Sequence, residues 1–470
     1  MAEAPARQHP RAPACASPCS LVTSSAASVA RPSTGPTGRV GTLRVPCTLT
    51  PHPGAGGVVS EIHLDPYLSR YAARTRGMGA SEIRALFSVA SRPEVVSLAG
   101  GSPDTAALDY DAVAAVFDEI ARTNGPAALQ YGGGQGLPAL REQLVEVMAA
   151  EHTPAHADDL VVTTGGQQAL DLVTKLFCDP GDVVVAEGPS YVGALGAFSA
   201  YQAEVVHAPM DEAGLMPDAL ADVLARLRHA GRRPKFLYTI PNHQNPAGVS
   251  LSTERRQRVL AIAEEHDLLV VEDNPYGLID FKGEQHPTLR SLAPERVVYV
   301  GTLSKIFAPG IRVGWVAAAG PLRDKLILLK EASDLCQSNL AQCVAERWLA
   351  TQPWLVQVGH FRELYRGRCA ALIDELTNEL PAACTWSVPT GGLFVWARMP
   401  EGIHTGELLA RALSARVAYV PGRAFYADGG GARDLRLCFS SAREERIREG
   451  VRRLAEVVTS ELELIRAVSG

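Results

Sequence analysis

The 470-residue chain has no uninterrupted apolar run of the roughly 18 residues that a membrane-crossing helix needs. That speaks against a membrane role. It also has no surplus of positive charge. Lys and Arg number 45 against 51 Asp and Glu, a net charge of -6, so the electrostatic footprint of a nucleic-acid binder is missing. Cys15 and Cys19 have no second Cys or His pair behind them at zinc-finger spacing, which leaves no metal site to expect. The nine cysteines are mostly single and set in apolar segments (Cys178, Cys336, Cys343, Cys369, Cys384, Cys438). They make no disulfide framework and suit the reduced core thiols of a cytoplasmic protein. No internal repeat is present.

Residues 1–58 lack something further. No acidic residue occurs between Glu3 and Glu61, and Pro, Ala, Ser, Thr and Gly replace any hydrophobic periodicity. Such a stretch cannot bury enough apolar surface to offset its ordering entropy, so it reads as a disordered tail without catalytic role. Its Arg- and Ser-rich composition also resembles a transit peptide, but no Arg-bearing amphipathic helix is evident. A third reading starts translation near Val58 or Val59.

What is present begins at Ser60. Hydrophobic residues at 46% and charged residues at 20% are ordinary for a globular protein with ample core. "LPALREQLVEVMAAEH" and "MGASEIRALFSVA" carry helical spacing, and "EVVSLAGGSPD" reads as a short strand running into a turn. The chain then alternates. "DLVVTT", "DVVVAEGPSY", "AEVVHAPM", "KFLYTIPN", "DLLVVEDNPY", "RVVYVGTLS" and "RVGWVAAAG" are short apolar runs, most of them separated by helices such as "STERRQRVLAIAEEHD". This is the pattern of an α/β sheet covered on both faces. "DKLILLKEASDLCQSNLAQCVAERWLA" and "HFRELYRGRCAALIDELTNEL" read as long helices, and the remainder as a second, α+β unit. The expected division is 1–58 as extension, 59–112 as an N-terminal segment, 113–334 as the large domain and 335–470 as the small one.

Ligands of an open α/β sheet sit beyond the C-terminal strand ends. The residues ending the expected strands are therefore informative: Thr164 to Gln167, Pro189 to Tyr191, Asn242 to Asn245, Asp273 to Tyr276, and Thr302 to Lys305. They assemble a phosphate cradle, an aromatic plate, an amide, a carboxylate, a phenol and an amine. Pyridoxal phosphate asks for that set. Lys305 would bond the cofactor and then move protons. Asp273 would keep the ring nitrogen protonated. Asn245 and Tyr276 would hold the ring hydroxyl oxygen, and Tyr191 would stack on the ring. Gly166 and Gln167 open a helix whose free N–H groups bind phosphate, completed by Thr302 and Arg312. Lys305, Asp273 and Tyr276 are the catalytic candidates.

In this order "TLSKIFAPGIRVGW", "VVEDNPYG", "PNHQNPAGVSLS", "TTGGQQALDL" and "EGPSYVGA" resemble motifs of the class I/II aminotransferases of PLP fold type I. The branch most resembled is that of the 2-aminoadipate aminotransferases and the aminotransferase-like domain of MocR-type regulators. The resemblance runs from about Pro66 to the C-terminus. It implies a large domain with a mainly parallel seven-stranded sheet and a small domain built from both chain ends. It implies a homodimer with shared active sites, pyridoxal 5'-phosphate as cofactor, and transfer of an amino group from an amino acid to a 2-oxo acid, with 2-oxoglutarate the expected acceptor, in a ping-pong cycle. By motif, Tyr131 matches a tyrosine that reaches the neighbouring subunit's cofactor phosphate. Arg436 matches the clamp on the substrate carboxylate, Gly101 a backbone contact to substrate, with Asn245 beside them. Ser81 and Arg84 lie on a helix that borders the side-chain pocket, where Arg84 could pair with a distal carboxylate. Thr302 and Gly166 stand where the family often has serine.

Plainer readings exist for several of these residues. Lys305 could be a surface-turn lysine, Asp273 to Tyr276 an ordinary Asp-Asn-Pro turn, Tyr191 and Tyr131 core aromatics, and Arg436 a strand arginine in an ion pair. Ser81 could simply start a helix and Arg84 face solvent. "YGGGQG" lacks the third glycine of a dinucleotide fingerprint, and "TLSK" has threonine where penicillin-recognising enzymes need a serine nucleophile. Two other functions compete. One is different pyridoxal phosphate chemistry (β-elimination, decarboxylation or condensation), because fold does not fix reaction type. The other is a MocR-type sensor, against which stands the absence of a recognition-helix pattern in residues 1–58.

Overall fold

The computed structural model describes residues 65–75 and 92–469; Ser81 and Arg84 lie outside the described residues. By contact density the chain divides into Met1–Pro66 and Tyr67–Gly470, and every described strand and helix lies in the second unit.

The first strand of that unit, β1 (Val96–Ser97), is short and leads to the helices Tyr110–Thr123 and Pro138–Ala150. The large sheet comes next. Its members are β2 (Leu160–Thr163), β3 (Val183–Gly188), β4 (Glu204–Asp211), β5 (Gly214–Leu215), β6 (Pro234–Thr239), β7 (Leu269–Asp273), β8 (Val297–Thr302) and β9 (Gly314–Ala317). They lie in the order β2-β9-β8-β7-β6-β3-β4-β5. Pairs among β3, β4, β6, β7 and β8 are parallel, whereas β9 runs antiparallel to both neighbours. Seven of these strands are the seven expected apolar runs. The eighth, β5, is a two-residue hairpin return against β4, too short to stand out from the following helix in the sequence. Its Gly214 has φ +92°, a conformation open to glycine.

Strands β2, β8 and β9 are buried almost throughout, because helices cover both faces. Gly165–Phe177 packs Leu172 and Val173 inward, and Thr253–Glu265 does so with Val259 and Leu260 on the other core cluster. One expected long helix is two. The segment from Asp324 to Ala350 breaks between Gly320–Asp334 and Asn339–Thr351. Leu335 takes a left-handed φ of 63°, and the Ser338 side chain accepts from the Ala341 N–H to cap the second helix. A Ser at the cap satisfies orphan donors that a continuous helix would not have had.

The smaller sheet comprises β10 (Thr385–Trp386), β11 (Phe394–Arg398), β13 (Val420–Pro421) and β14 (Asp434–Cys438), all antiparallel in the order β10-β11-β14-β13. β12 (Val417–Ala418) pairs in parallel with β1, and the Cys438 N–H donates to Leu98 O. The N-terminal strand is therefore built into the C-terminal sheet region. This places the loop after β1 beside the C-terminal ends of the large-sheet strands.

Candidate active site

A cavity of about 310 Å³ lies at those strand ends. Gly166 and Gln167 reach it from the start of the helix after β2, Tyr191 from the turn after β3, and Asn245 from the loop after β6. Asp273 and Tyr276 come from the end of β7, Thr302 and Lys305 from the end of β8, and Arg436 from β14. Arg312 and Gly101 complete the wall. The structure thus brings together every described residue proposed from the sequence except Tyr131. That side chain is 76% exposed and lines no part of this cavity.

Strand geometry explains the floor. Side chains alternate along β7, so Glu272 faces one way and accepts the N–H groups of Leu289 and Arg290, while Asp273 faces the cavity. Asp273 Oδ2 accepts from Tyr238 Oη at 2.8 Å. Burial pushes its carboxyl up to about 7, against the pull of the Tyr238 hydroxyl and the Lys305 charge. Across the cavity, Lys305 Nζ donates to Gly101 O at 2.7 Å. Burial, assisted by the guanidiniums of Arg436 and Arg312, brings this amine down to about 8. The site therefore holds a base and an acid whose ordinary values have been drawn together, as proton-transfer chemistry near neutrality requires.

Arg436 is buried. Its Nη1 donates to Asn245 Oδ1 at 3.0 Å and its Nη2 to Ala99 O and Gly100 O, both at 2.8 Å. The guanidinium lies 4.2 Å over the Phe394 ring, and its Nε is buried without a partner. Asn245 Nδ2 in turn reaches Tyr276 Oη at 3.5 Å, so amide and phenol stand side by side.

The other end is built for an anion. The helix from Gly165 starts without a side-chain cap, leaving first-turn N–H groups to a ligand. Gly165 has φ +73°, and a Cβ there would come within 2.4 Å of the Arg312 guanidinium; one on Gly314 would meet the Gly165–Gly166 backbone at 2.6 Å. Gly166 differs: its Cβ would find only ordinary contact at 3.7 Å, so the serine common in the family would fit. Thr302 donates to Ser304 Oγ at 2.9 Å, and Arg312 to Thr164 O at 3.2 Å. A buried carboxylate with one hydrogen bond, a neutralisable amine, and an anion cradle suit pyridoxal phosphate's ring nitrogen, aldehyde carbon and phosphate in turn.

Sequence reasoning gave no role to Ser304, Tyr238 or Phe394. Ser304 sits inside the "TLSK" motif and could have been found there. Tyr238 and Phe394 lie within apolar strands, where nothing distinguishes them from core. Among the described residues no cluster of His, Cys, Asp and Glu suits a metal ion, and no helix is long and apolar enough to cross a membrane.

The family model "Aminotransferase class I and II" matches residues 93–454. The aromatic-amino-acid aminotransferase 1 of Thermococcus litoralis is 39% identical over 398 residues, 84% of this chain and 95% of that one. The 2-aminoadipate transaminase of Thermus thermophilus is 37% identical over 390 residues, 82% of this chain and 96% of its own. The crystal structure of the alpha-aminoadipate aminotransferase of Thermus thermophilus, complexed with N-(5'-phosphopyridoxyl)-L-leucine, superposes with a TM-score of 0.78 at 35% identity. It covers 84% of this chain and 99% of that chain.

Proposed function

The chain belongs to the class I and II aminotransferase family and is a pyridoxal phosphate-dependent transaminase, and on that premise we propose a donor class and a role for each residue of the site. The donors are amino acids with an aromatic or an acidic side chain, and 2-oxoglutarate is the first acceptor to test. The observation that carries this is the convergence of Lys305, Asp273 and Arg436 on one cavity. The relatives' names span aromatic amino acids and 2-aminoadipate. Leu170, Ile240 and Phe394 give the cavity an apolar wall, which suits the first group. Arg84 is assigned to the distal carboxylate of the second.

The cofactor, when bound, supplies an electron sink for the substrate α-carbon. The chain's residues do the rest. The N–H groups of Gly166 and Gln167, with Thr302 and Arg312, hold the phosphate. Ionised Asp273 would keep a proton on the ring nitrogen, Tyr276 and Asn245 would hold the ring hydroxyl oxygen, and Tyr191 would cover the ring face. Arg436 exchanges the carbonyls of Ala99 and Gly100 for the substrate carboxylate, a bidentate task for guanidinium. Lys305, with its amine neutral, would take the substrate α-proton at Nζ and carry it within the site. Tyr131 belongs to the second subunit's phosphate site in a homodimer. We place the enzyme in the cytoplasm and divide its globular chain at 59–112, 113–334 and 335–470.

A panel of amino donors against 2-oxoglutarate tests the donor class. Phenylalanine or tyrosine, and glutamate or 2-aminoadipate, should both yield oxo acids. Arg84→Ala should lower kcat/KM about tenfold for the acidic donors alone, the worth of one charge-assisted pair. An unchanged preference would remove Arg84 from the pocket.

A further inference from the structure

Gly100, Gly101 and Ser102 line the cavity with backbone rather than side chain. Gly101 leaves little room for a side chain: a Cβ there would stand 3.2 Å from Phe394 Cζ, which would have to give by a few tenths of an ångström. The carbonyls of this segment hold two of the site's three cations, since Arg436 Nη2 donates to Ala99 O and Gly100 O and Lys305 Nζ to Gly101 O. Both cations must release those carbonyls when they turn to cofactor and substrate. Something else has to keep the segment in place while they do.

Four further contacts are available, all away from the chemistry. Ser440 Oγ donates to Ser102 O at 2.6 Å. Tyr365 Oη accepts from the Asp104 N–H at 2.9 Å. Arg368 Nη2 donates to Asp104 Oδ2 at 2.7 Å, and Arg368 Nη1 to the backbone carbonyl of Ser440. Tyr365 and Arg368 lie one turn apart on the helix Trp354–Glu379, so one helix face grips the segment twice. The Arg368 and Asp104 side chains are only 7% and 20% exposed. A pair so buried is poorly screened, and the removal of one partner strands the other charge.

We propose that Arg368 is a positioning residue for transamination: through Asp104 and the Ser440 carbonyl it fixes the Gly100–Ser102 backbone against the site. It thereby sets how readily Arg436 accepts a substrate carboxylate. This rests on the reading of Arg436 as the carboxylate clamp. No bond is made or broken at Arg368 and no proton leaves it. Its action is geometric, and a misplacement of the segment by about 1 Å is enough to affect catalysis strongly.

The test is steady-state kinetics of the dimer-competent holoenzyme with one good donor and 2-oxoglutarate. Arg368→Met should raise KM for both substrates about tenfold or more while kcat changes less than about threefold. Both substrates carry the carboxylate that Arg436 must hold. Arg368→Lys should recover part of the loss, Asp104→Asn should raise KM in the same direction by a smaller factor since the Arg368 bond to Ser440 O survives, and the double variant should be no worse than Arg368→Met, which already breaks the Asp104 contact. Arg452→Met, which removes a half-exposed partner of Glu375 elsewhere on the same helix, should leave both constants unchanged. A folded Arg368→Met enzyme with KM within twofold of wild type overturns the proposal. If that variant does not fold, Asp104→Asn and Ser440→Ala decide, and unchanged KM in both overturns it equally. Wild-type turnover beside unchanged variants sinks only this proposal. An Arg436→Met enzyme with unaltered KM sinks the carboxylate reading beneath it.

Discussion

Two cavities lie beside the end of β7, each lined by one of two successive residues. Asp273 lines one, of about 310 Å³, and Asn274 the other, of about 320 Å³. Both are walled by buried polar side chains, yet only the first is equipped for chemistry. In the second the polar groups satisfy one another. Arg256 Nη2 donates to Asn242 Oδ1 at 2.6 Å, Asn242 Nδ2 to Asn274 Oδ1 at 2.8 Å, and Asn274 Nδ2 to Tyr299 Oη at 3.1 Å. Tyr299 then donates to Glu151, whose carboxyl burial pushes up to about 8. His243 is held neutral by burial, down to about 3. Gln285 Oε1 is the one unpartnered buried acceptor on that wall. In the first cavity Asp273 has a single donor, Arg436 Nε has no acceptor, and the remaining cation bonds go to carbonyls that can be exchanged. Size and burial are alike; reserve hydrogen-bonding capacity, with charge of both signs, is what differs. A saturated network stabilises a fold, whereas an unsaturated one waits for a ligand.

The comparison breaks most visibly at the amine. Lys305→Ala should lose more than about 10⁴-fold in transamination, since nucleophile and proton carrier vanish together, yet retain pyridoxal phosphate non-covalently. Single-turnover absorbance with a donor amino acid checks both halves. Full activity in that variant would return Lys305 to the ordinary lysines.

A smaller effect follows from the carboxylate. In the ligand-free site Asp273 titrates near 7, and a cationic ring nitrogen favours its ionised form. Below that pH the carboxyl is already protonated and must lose its proton on binding. In the Lys305→Ala background, where the amine's charge no longer holds the carboxyl down, apparent cofactor affinity should therefore fall up to tenfold per unit as pH drops, from an onset no lower than about 7. Asp273→Asn should bind more weakly with no such slope, as fluorescence titration across pH 5.5 to 8.5 would reveal.

The smallest effect belongs to the second cavity and touches stability alone. Glu151 titrates near 8 when folded against an ordinary 4.5, so unfolding releases a proton between those values. Stability contributed by the neutral acid is complete below 4.5 and is lost as pH rises toward 8. Glu151→Gln keeps the acceptor for Tyr299 and should raise Tm by a few degrees at pH 8, little at pH 5, with kcat unchanged. An equal shift at both pH values would contradict a neutral buried Glu151.

Much of this was legible in the sequence because it is local. The apolar runs ending in polar residues placed Asp273, Lys305, Asn245 and Tyr191 at one sheet edge from local pattern alone. The break at Leu335 was not legible, since leucine gives no warning of a left-handed φ. Nor were Tyr238 and Phe394, each an apolar strand residue whose importance comes from a partner far along the chain. Motif likeness carried Ser81 and Arg84, which lie outside the described residues, and Tyr131, whose ring is exposed and lines no part of the site cavity.

By itself the sequence determined the α/β alternation, the order of the strand-end chemistry and the cofactor that such residues suit. Those follow from periodicity and from the types of residue that stand where strands stop. Only the tertiary structure decided that Lys305 and Arg436 share one strip of backbone, and that Arg368 and Tyr365 grip its far end. Residues more than 200 positions apart meet there, because β1 is paired into the C-terminal sheet region. Contacts of that kind are set by how whole elements pack, which no local pattern records.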